Sequence, residues 1–240
     1  MVVERAVVLA AGRGTRLGAA TDHLPKPMLR VGDGPLIGNI VEAIAATGVR
    51  SVTVVTGYRA TTIENHLAAT SPIPVSFIRQ GTPHGTAAAL SLARNAVGKS
   101  PFLLCWGDIA TNPRHYAELV DGWRDGVAAS IGVNLIDDVG RHASVVFDDN
   151  KRITQIVEKP VGAPPSLWNN SGLMVFTHQI WPQLGHIERS HRGELELTDG
   201  INGLIAAGAA VEAVPLVGSW FDIGTTEQLE AARNAFRHSR

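Results

Sequence analysis

Short runs of β-branched and aliphatic residues alternate with stretches of helical periodicity in the first half of the chain, and this alternation limits the possible folds more than any other feature. Strands are predicted at residues 6–9, 51–55, 75–78 and 102–105, and helices at 36–44, 62–68 and 86–96. The first of these helices places its apolar residues on one face, and Gly48 provides a stop signal. Because strands that alternate with helices connect through right-handed crossovers, the sequence predicts an α/β fold with a mostly parallel sheet.

The second half of the chain has a different pattern. Residues 144–147 and 153–157 are predicted to pair as a hairpin around the Asp-Asp-Asn-Lys turn at 148–151. Further strands are predicted at 173–176 and 211–214, and further helices at 178–188, 198–207 and 226–237. No internal repeat, low-complexity segment or flexible linker interrupts the sequence, so we expect a single domain over residues 1–240.

Composition and charge argue against several classes of function. The chain has 21 Lys and Arg against 22 Asp and Glu, without the one-sided basic cluster that a nucleic-acid surface needs. No segment approaches the roughly 20 apolar residues of a membrane span, and the apolar run at 6–11 is too short for a signal peptide. The single cysteine, Cys105, excludes an intrachain disulfide and is expected to be a buried core residue. These features predict a cytoplasmic protein with no nucleic-acid or membrane partner.

A loop rich in glycine and arginine directly follows the first predicted strand. Residues 9–17 read Leu-Ala-Ala-Gly-Arg-Gly-Thr-Arg-Leu, in which the glycines allow a tight turn and Arg13 and Arg16 add guanidinium groups that suit phosphate. It is not a P-loop, because the Gly-Lys-Ser/Thr ending is absent. It is not the dinucleotide fingerprint either, since the spacing to the third glycine, Gly18, is four rather than three.

A second element follows at residues 25–29, which read Pro-Lys-Pro-Met-Leu. The two prolines restrict the backbone on both sides of Lys26 and keep it out of a helix. A lysine held in this way is better positioned for a ligand than one on a mobile surface loop, although alone it would more often be a solvated charge.

Together, the motifs at 9–17 and 25–29 resemble the signature of the sugar-1-phosphate nucleotidylyltransferase family, with glucose-1-phosphate thymidylyl- and uridylyltransferases as the model. Later segments follow in that family's order: Gly85-Thr86-Ala87 after Gln80, Gly107-Asp108, Glu158-Lys159-Pro160, Asn170-Ser171-Gly172, and residues 192–199 and 220–225. The resemblance extends from Val7 to about Ala232. It implies a Rossmann-like, mixed and mostly parallel sheet flanked by helices (GT-A-like), with a small sugar-binding β lobe. Residues 1–125 would be mainly the nucleotide-binding half and residues 126–240 mainly the sugar-phosphate-binding half.

The family's reaction is the attack of a sugar 1-phosphate on the α-phosphorus of a nucleoside triphosphate, with release of pyrophosphate and dependence on Mg²⁺. The resemblance implies that Arg16, Lys26 and Asp108 are catalytic, and that Asp108 and Asp222 bind the metal. Independently, Asp108 follows a predicted strand of the sheet, where α/β folds place ligands, and Mg²⁺ prefers one or two carboxylates with phosphates and waters. Taken alone, each aspartate is more often a turn or capping residue.

The remaining implied site residues divide into two sets. The nucleotide-binding set is Leu9, Ala11, Gly12, Arg13, Gly14, Thr15, Gln80, Gly85 and Thr86. The sugar-phosphate-binding set is Glu158, Lys159, Asn170, Gly172 and Arg192. In relatives that carry it, the glutamine faces uracil or thymine, so UTP or dTTP is favoured. Strand alternation would turn Glu158 and Lys159 to opposite faces unless a bulge intervenes.

Several alternatives stay open at this point. Many relatives carry a Tyr-Gly pair near the sugar, whereas residues 140–146 here read Gly-Arg-His-Ala-Ser-Val-Val. This difference leaves room for another sugar or a cyclitol phosphate as the acceptor. Choline phosphate as the acceptor, and GTP or CTP as the donor, are further alternatives. A non-catalytic nucleotide-sugar-binding subunit is the alternative of another class, although it would be expected to lose Arg16, Lys26, Asp108 or Asp222. The nine histidines show no paired ligand spacing, so no zinc site is predicted. Whether the chain forms a homo-oligomer is not fixed by the sequence.

Overall fold

The aliphatic runs form the strands of a mixed sheet in the computed structural model, which describes residues 1–82 and 84–237 except the side chains of Thr15, Ala19 and Ala20. The strands are β1 (Arg5–Ala10), β2 (Arg30–Val31), β3 (Gly34–Pro35), β4 (Ser51–Thr56), β5 (Val75–Arg79), β6 (Phe102–Trp106), β7 (Ile109–Thr111), β8 (Ala129–Leu135), β9 (Ala143–Phe147), β10 (Ile153–Glu158), β11 (Trp168–Phe176), β12 (Val211–Pro215) and β13 (Trp220–Asp222). The helices are α1 (Leu36–Ala46), α2 (Ala60–Thr70), α3 (Thr86–Leu92), α4 (Arg94–Val97), α5 (Arg114–Gly122), α6 (Ile180–Leu184), α7 (Leu197–Ala206) and α8 (Thr226–Ala235).

Strands from both halves of the chain join one sheet. Its order is β10-β9-β11-β6-β1-β4-β5, and β8 pairs with both β11 and β12. Strands β6, β1, β4 and β5 are parallel, whereas β11 runs antiparallel to β6 and to β8. The predicted α/β fold, with a mixed and mostly parallel sheet between helices, is therefore confirmed.

Successive residues of the central strands point to opposite faces of the sheet and enter two hydrophobic clusters. Val8 and Cys105 pack in the cluster that includes α1, α2, α5 and α8, whereas Val7 and Leu104 pack in the cluster that includes α3, α6 and α7. Cys105 is fully buried, as predicted, and burial raises the pKa of its thiol. Helices thus cover both faces of the sheet and leave the ends of its strands accessible.

The structure departs from the predicted elements in several places; one is α5, a helix that was not predicted. The helix predicted at 86–96 is divided at Ala93 into α3 and α4, and the helical region predicted at 178–188 contains only α6, which ends at Gly185. Strand β8 was not predicted, because its sequence includes Ser130, Gly132 and Asn134, although six of its seven residues are buried. Ser130, Gly132 and Asn134 share one face of the strand, and the apolar residues Ala129, Ile131 and Val133 share the other and enter the core. A strand with one polar face is expected to expose that face, whereas β8 buries it.

The predicted hairpin of β9 and β10 is confirmed. The two strands pair antiparallel, and the Asp148 carboxylate accepts the backbone N–H groups of Asn150 and Arg152, each at 2.9 Å. Lys151 adopts φ +62° in the turn. An aspartate that bonds its own following backbone is a common means of closing such a turn.

Candidate active site

The loop after β1 lies at the carboxyl ends of three parallel strands. Two glycines permit the close approach, because a Cβ at Gly57 would lie 2.6 Å from the Ala11 carbonyl oxygen and one at Gly107 would lie 2.9 Å from that of Leu9. The backbone N–H of Gly107 donates to Leu9 at 2.8 Å, and that of Tyr58 donates to Ala11 at 3.2 Å. Leu9 and Ala11, both predicted to bind nucleotide, therefore lie where an open α/β sheet binds its ligands.

The two glycines of the loop have different surroundings. Gly12 is exposed, and a Cβ there would meet nothing within 4 Å. Gly14 has φ +69°, and its Cβ position is 3.1 Å from Lys26 Cβ, so the loop packs on the lysine. The predicted site residue Thr15 begins the 3₁₀ segment that follows, but its side chain lies outside the described part of the chain. The backbone at Gly12 is thus open to a ligand, while Gly14 fixes the loop against Lys26.

Arg13 is held above an aromatic ring. Its guanidinium carbon lies 5.2 Å from the centroid of the Tyr58 ring, and that of Arg59 lies 5.6 Å from the same centroid. The Tyr58 hydroxyl donates to the Asp22 carbonyl oxygen at 2.8 Å, and an Arg59 N–H donates to the same oxygen at 2.9 Å. These contacts connect the loop at 9–17 and the segment at Asp22 to the residues that follow β4.

Lys26 is a buried cation between two carboxylates. It is 6% exposed, and Nζ donates to Asp108 Oδ2 at 2.6 Å and to Asp222 Oδ1 at 3.3 Å. Burial alone would lower the pKa of the ammonium, but the two carboxylates outweigh that effect and raise the pKa. An ammonium has three N–H donors, so one of them is left to bind a ligand.

A small ribbon of two strands brings the aspartates together. Asp108 precedes β7, and Asp222 ends β13, which pairs antiparallel with β7 so that Asp222 lies opposite Ile109. The backbone N–H of Ile223 donates to the Asp108 carbonyl oxygen at 3.0 Å. The two aspartate side chains are 38% and 22% exposed, and each has one oxygen that Lys26 does not bond. These distant aspartates do meet at one site; their role as metal ligands stays a prediction.

Arg16 reaches the segment that follows Asp222. It is exposed, and its guanidinium lies against Gly224, where a Cβ would be 3.3 Å from an Nη atom. The backbone N–H of Gly224 donates to Gln228 Oε1 at 2.9 Å, which fixes this segment to α8. The predicted catalytic residues Arg16, Lys26 and Asp108 are therefore gathered around Asp222.

The residues predicted to surround the base lie beyond β5. Gln80 follows that strand, is half-buried, and makes no side-chain hydrogen bond to another described residue. Gly85 adopts φ +99°, and a Cβ there would overlap the backbone of Leu195. The Thr86 hydroxyl accepts the backbone N–H of Leu197 at 3.0 Å. Gly85 and Thr86 thus join α3 to the segment before α7, and contacts of all three predicted residues with the nucleotide stay predictions.

The predicted sugar-binding pair stands at the end of β10. The alternation that would place Glu158 and Lys159 on opposite faces is wrong, because Lys159 adopts φ +44° and its Nζ lies 3.9 Å from Glu158 Oε1. The left-handed backbone turns the lysine back towards its neighbour. Burial raises the pKa of Glu158 and the charge of Glu196 raises it further, against the opposing effects of Lys159 and Arg192.

Arg192 is surrounded by carboxylates. A guanidinium N–H donates to Glu196 Oε1 at 2.6 Å, and the same nitrogen lies 3.6 Å from Glu158 and 3.7 Å from Glu194. Glu196 is only 5% exposed, and it was not predicted as a site residue because nothing in its local sequence shows that it would be buried against the arginine. The carboxylates around Arg192 thus offset most of the positive charge of its guanidinium group. Contact between Arg192 and a sugar phosphate stays a prediction.

Asn170 and Gly172 have clear structural roles in β11. Asn170 is 1% exposed, and its side-chain oxygen accepts the backbone N–H of Gly172 at 3.0 Å. Gly172 adopts φ +80°, and a Cβ there would lie 2.6 Å from the Trp106 ring. The pairing of β11 with β8 shifts register at this point. Asn170 therefore fixes the irregular backbone at Gly172, and sugar contacts of the two residues stay predictions.

Sequence reasoning missed two aromatic residues at the site. His142 Nδ1 lies 3.9 Å from Asp222 Oδ2, and the His142 ring packs edge-on against Trp220 with 5.6 Å between centroids. Burial lowers the pKa of the imidazole, although the carboxylates of Asp222 and Asp138 oppose this. The sequence signal was the missing Tyr-Gly pair at 140–146, which indicates a different wall but not this contact.

Across residues 1–82 and 84–237, no helix is long and apolar enough to cross a membrane. Within the same ranges, no group of three or more His, Cys, Asp or Glu side chains is arranged to hold a metal ion. A magnesium ion needs only one or two carboxylates beside phosphate and water oxygens, so the aspartate pair remains a suitable site for it.

Comparison with known proteins agrees with this geometry. The family model for nucleotidyl transferases matches residues 5–239. UTP–glucose-1-phosphate uridylyltransferase AglF of Haloferax volcanii is 31% identical over 232 residues, which cover 95% of this chain and 94% of AglF. The bifunctional protein GlmU of Methanococcus aeolicus is 34% identical over 91% of this chain, which spans only 51% of the length of GlmU.

A solved structure is similar over the whole fold. UDP-glucose pyrophosphorylase from Acinetobacter baumanii superimposes with a TM-score of 0.86 at 26% identity, covering 100% of this chain and 95% of that one. The family match spans nearly the whole chain, and the sheet, the phosphate loop and the paired aspartates occur in the order that the family's motifs imply. The protein therefore belongs to the nucleotidyl transferase family.

Proposed function

We propose that this protein transfers a nucleoside monophosphate from UTP or dTTP to a sugar 1-phosphate and releases pyrophosphate. The observation that carries the proposal is the convergence of Asp108 and Asp222 on Lys26, directly beside the loop at 11–14. The loop supplies donors for phosphate, and the aspartates supply oxygens for a cation. Both substrates of such a reaction are anions, so their charges must be offset and their reacting atoms aligned.

The triphosphate would bind at the loop. The exposed backbone at Gly12 offers N–H groups, Arg13 is pre-positioned by its contact with Tyr58, and Arg16 lies on the Asp222 side. Guanidinium groups suit this task because they present paired donors to phosphate oxygens. The remaining N–H of Lys26 would bind a phosphate oxygen and orient it for in-line attack.

Asp108 and Asp222 would hold Mg²⁺, and the described side chains fit that ion. Both carboxylates are partly exposed, and each has an oxygen that is not bonded to Lys26. When bound, Mg²⁺ supplies positive charge that offsets the charge of the reacting phosphates. Lys26 keeps the two carboxylates close together before the ion and the nucleotide arrive.

The acceptor would bind at the end of β10. Lys159 is 43% exposed in its side chain and can bind the acceptor phosphate, while the half-buried Glu158 can accept hydrogen bonds from sugar hydroxyls.

The base would be recognised by Gln80. Its side-chain amide has both a donor and an acceptor, so it would pair with the imide edge of uracil or thymine. The activity in the name of AglF, uridylyl transfer to glucose 1-phosphate, supports this choice of substrates.

A pyrophosphate-release assay tests the proposal. UTP, dTTP, GTP, CTP and ATP are each combined with glucose, N-acetylglucosamine, mannose and galactose 1-phosphates in the presence of Mg²⁺. We expect activity with UTP or dTTP and at least one of these sugars, whereas activity with GTP, CTP or ATP alone would overturn the choice of donor. Asp108→Asn and Arg16→Ala should reduce turnover by about two orders of magnitude or more. The matched controls Asp149→Asn and Arg94→Ala, at exposed positions, should retain the activity of the wild type.

Other outcomes would point to the alternatives. Nucleotide-sugar binding without pyrophosphate release from any pair would favour a regulatory subunit and overturn the proposal. Turnover with choline phosphate or a cyclitol phosphate, but with no sugar 1-phosphate, would retain the reaction type and overturn the acceptor.

A further inference from the structure

His142 lies between the groups proposed for the two substrates. Its Nδ1 is 3.9 Å from Asp222 Oδ2, on the side of the metal and triphosphate. Its carbonyl oxygen accepts the backbone N–H of Lys159 at 2.8 Å, on the side of the acceptor. Asp138 and Arg16 are the other charged groups that act on the ring electrostatically. A side chain in this position borders the space that the acceptor must occupy to reach the triphosphate.

The imidazole packs against a tryptophan that is itself fixed by a hydrogen bond. The Trp220 ring packs against it at an interplanar angle of 73°, and Trp220 is itself fixed by a hydrogen bond from Nε1 to the Ser171 carbonyl oxygen at 2.8 Å. The His142 side chain is 17% exposed. With Nδ1 facing Asp222, Nε2 is the polar atom left on the far side of the ring, and no other described residue makes a hydrogen bond to it. The 3.9 Å between Nδ1 and Asp222 Oδ2 is longer than a hydrogen bond, so neither ring nitrogen is hydrogen-bonded to another described residue. A partly exposed ring of this kind can form a hydrogen bond with a ligand group through Nε2.

We propose that His142 is a specificity residue for the acceptor, and that its Nε2 forms a hydrogen bond with a hydroxyl of the sugar ring. This inference rests on the proposed function, because it assumes that a sugar 1-phosphate binds between Asp222 and Lys159. It concerns a residue of this chain at the place where many relatives carry a Tyr-Gly pair. Lys159 would supply the positive charge for the acceptor phosphate, so the imidazole is not needed for the phosphate. A ring nitrogen can donate to or accept from a hydroxyl, whichever tautomer is present.

Two conservative variants separate a hydrogen bond from Nε2 to the acceptor from an alternative role in which Nδ1 positions Asp222. The amide nitrogen of glutamine reaches about as far as Nε2 of histidine, whereas that of asparagine reaches about as far as Nδ1. We therefore expect His142→Gln to retain most of the acceptor affinity of the wild type, and His142→Asn and His142→Ala to lose it. His178→Ala, at an exposed position near α6, is the matched control.

Steady-state kinetics with the best sugar 1-phosphate of the panel provide the readout. Loss of one net hydrogen bond predicts that the acceptor KM of His142→Ala rises about tenfold. The KM values for the nucleoside triphosphate and for Mg²⁺ should change less than twofold. One monodeoxy analogue of the acceptor should bind the wild type about tenfold more weakly than the parent sugar, and this difference should disappear in His142→Ala.

The results also separate the two proposals. If the wild type turns over a sugar 1-phosphate and His142→Ala has an unchanged acceptor KM, only the role of His142 is overturned. A rescue by asparagine but not glutamine, with a shifted KM for Mg²⁺, overturns it in favour of positioning Asp222. If the wild type turns over no sugar 1-phosphate, the proposed function and the role of His142 both fall.

Discussion

Replacing Lys26 with methionine removes the ammonium between the two aspartates while keeping an apolar stem of similar length. In the wild type, Nζ lies 2.6 Å from Asp108 Oδ2 and 3.3 Å from Asp222 Oδ1, and the lysine side chain is 8% exposed. In the variant, the two carboxylates face each other with no cation between them. We expect the free energy of unfolding to fall, because the carboxylates repel each other in the folded state and separate in the unfolded state.

The size of the effect follows from burial. Removing one partner from a fully buried ion pair costs about 3–5 kcal/mol. Here the carboxylates are 38% and 22% exposed, so solvent screens part of their repulsion and we expect a loss of about 2 kcal/mol. For a domain of this size, each kcal/mol shifts Tm by about 2–4 °C, which gives a decrease of about 4–8 °C in the presence of EDTA.

Thermal unfolding followed by circular dichroism measures this effect, with Lys99→Met at an exposed position as the control. Millimolar Mg²⁺ should restore several degrees of Tm to Lys26→Met and less than one degree to the control, since an added cation stabilises the state that binds it. The carboxylates raise the pKa of Lys26 above 10.5, so its stabilising effect is complete below that pH and is lost only as pH rises through the raised value. The difference between wild type and variant should therefore be constant from pH 7 to 9. An unchanged Tm in EDTA would refute the ion pair, and a lowered Tm that Mg²⁺ does not raise would refute a cation site at these carboxylates.

Three further variants test other parts of the site. Tyr58→Leu removes the ring below Arg13 and should raise the KM for the nucleoside triphosphate by about three- to tenfold in steady-state kinetics. Tyr58→Phe keeps the ring, so the binding free energy that it loses should be less than half of the loss in Tyr58→Leu. Equal KM values for Tyr58→Leu and wild type would contradict the cation–π contact. Glu158→Gln should raise Tm by about 1–3 °C at pH 7.5, because the raised pKa of Glu158 means that its charge is unfavourable in the folded state. The same variant should lower kcat/KM for the acceptor. The gain in Tm should vanish as the pH falls to 4.5, where the wild-type carboxyl group is protonated in the fold, and a Tm below that of the wild type at pH 7.5 would contradict the prediction. Gly85→Ala should lower the free energy of unfolding by roughly 3 kcal/mol or more in urea denaturation, since φ at Gly85 is +99° and the new Cβ would overlap the backbone of Leu195. A free energy of unfolding within about 1 kcal/mol of the wild type would contradict this, because it would mean that the backbone at Leu195 moves to make room for the methyl group.

Local sequence patterns predicted much of the fold. Helix α1 follows directly from its apolar periodicity, because it buries one regular stripe of side chains. Strands β1, β4 and β6 follow from short continuous apolar runs, because their side chains are buried on both faces of the sheet. Strand β8 could not be predicted in this way, since its stability comes from pairing with β11 and β12 rather than from its own composition. Its polar residues are tolerated because they lie inside the sheet with partners nearby; for example, Asn134 accepts a hydrogen bond from Asn169 at 3.1 Å.

The predicted catalytic residues lie close together in the structure, but their contacts could not be predicted. The motifs pointed to Lys26, Asp108 and Asp222, yet no spacing indicated that the ammonium would bridge the two carboxylates, because that contact depends on the pairing of β7 with β13. The pairing of Arg192 with Glu196 and the position of His142 beside Asp222 were likewise invisible to local patterns. Long-range contacts of this kind are set by how elements pack, and a single sequence does not display them.

In the proposed reaction the α-phosphorus is the atom attacked, at a site formed by Asp108 and Asp222. Parallel reactions with α-³²P-labelled and γ-³²P-labelled UTP or dTTP, Mg²⁺ and the best sugar 1-phosphate measure this directly. The α label should appear in a nucleotide-sugar and the γ label in pyrophosphate, and Asp108→Asn and Asp222→Asn should each reduce both by about 100-fold or more while Asp149→Asn does not. Release of the γ label as inorganic phosphate, or full transfer of the α label by either aspartate variant, would contradict the account.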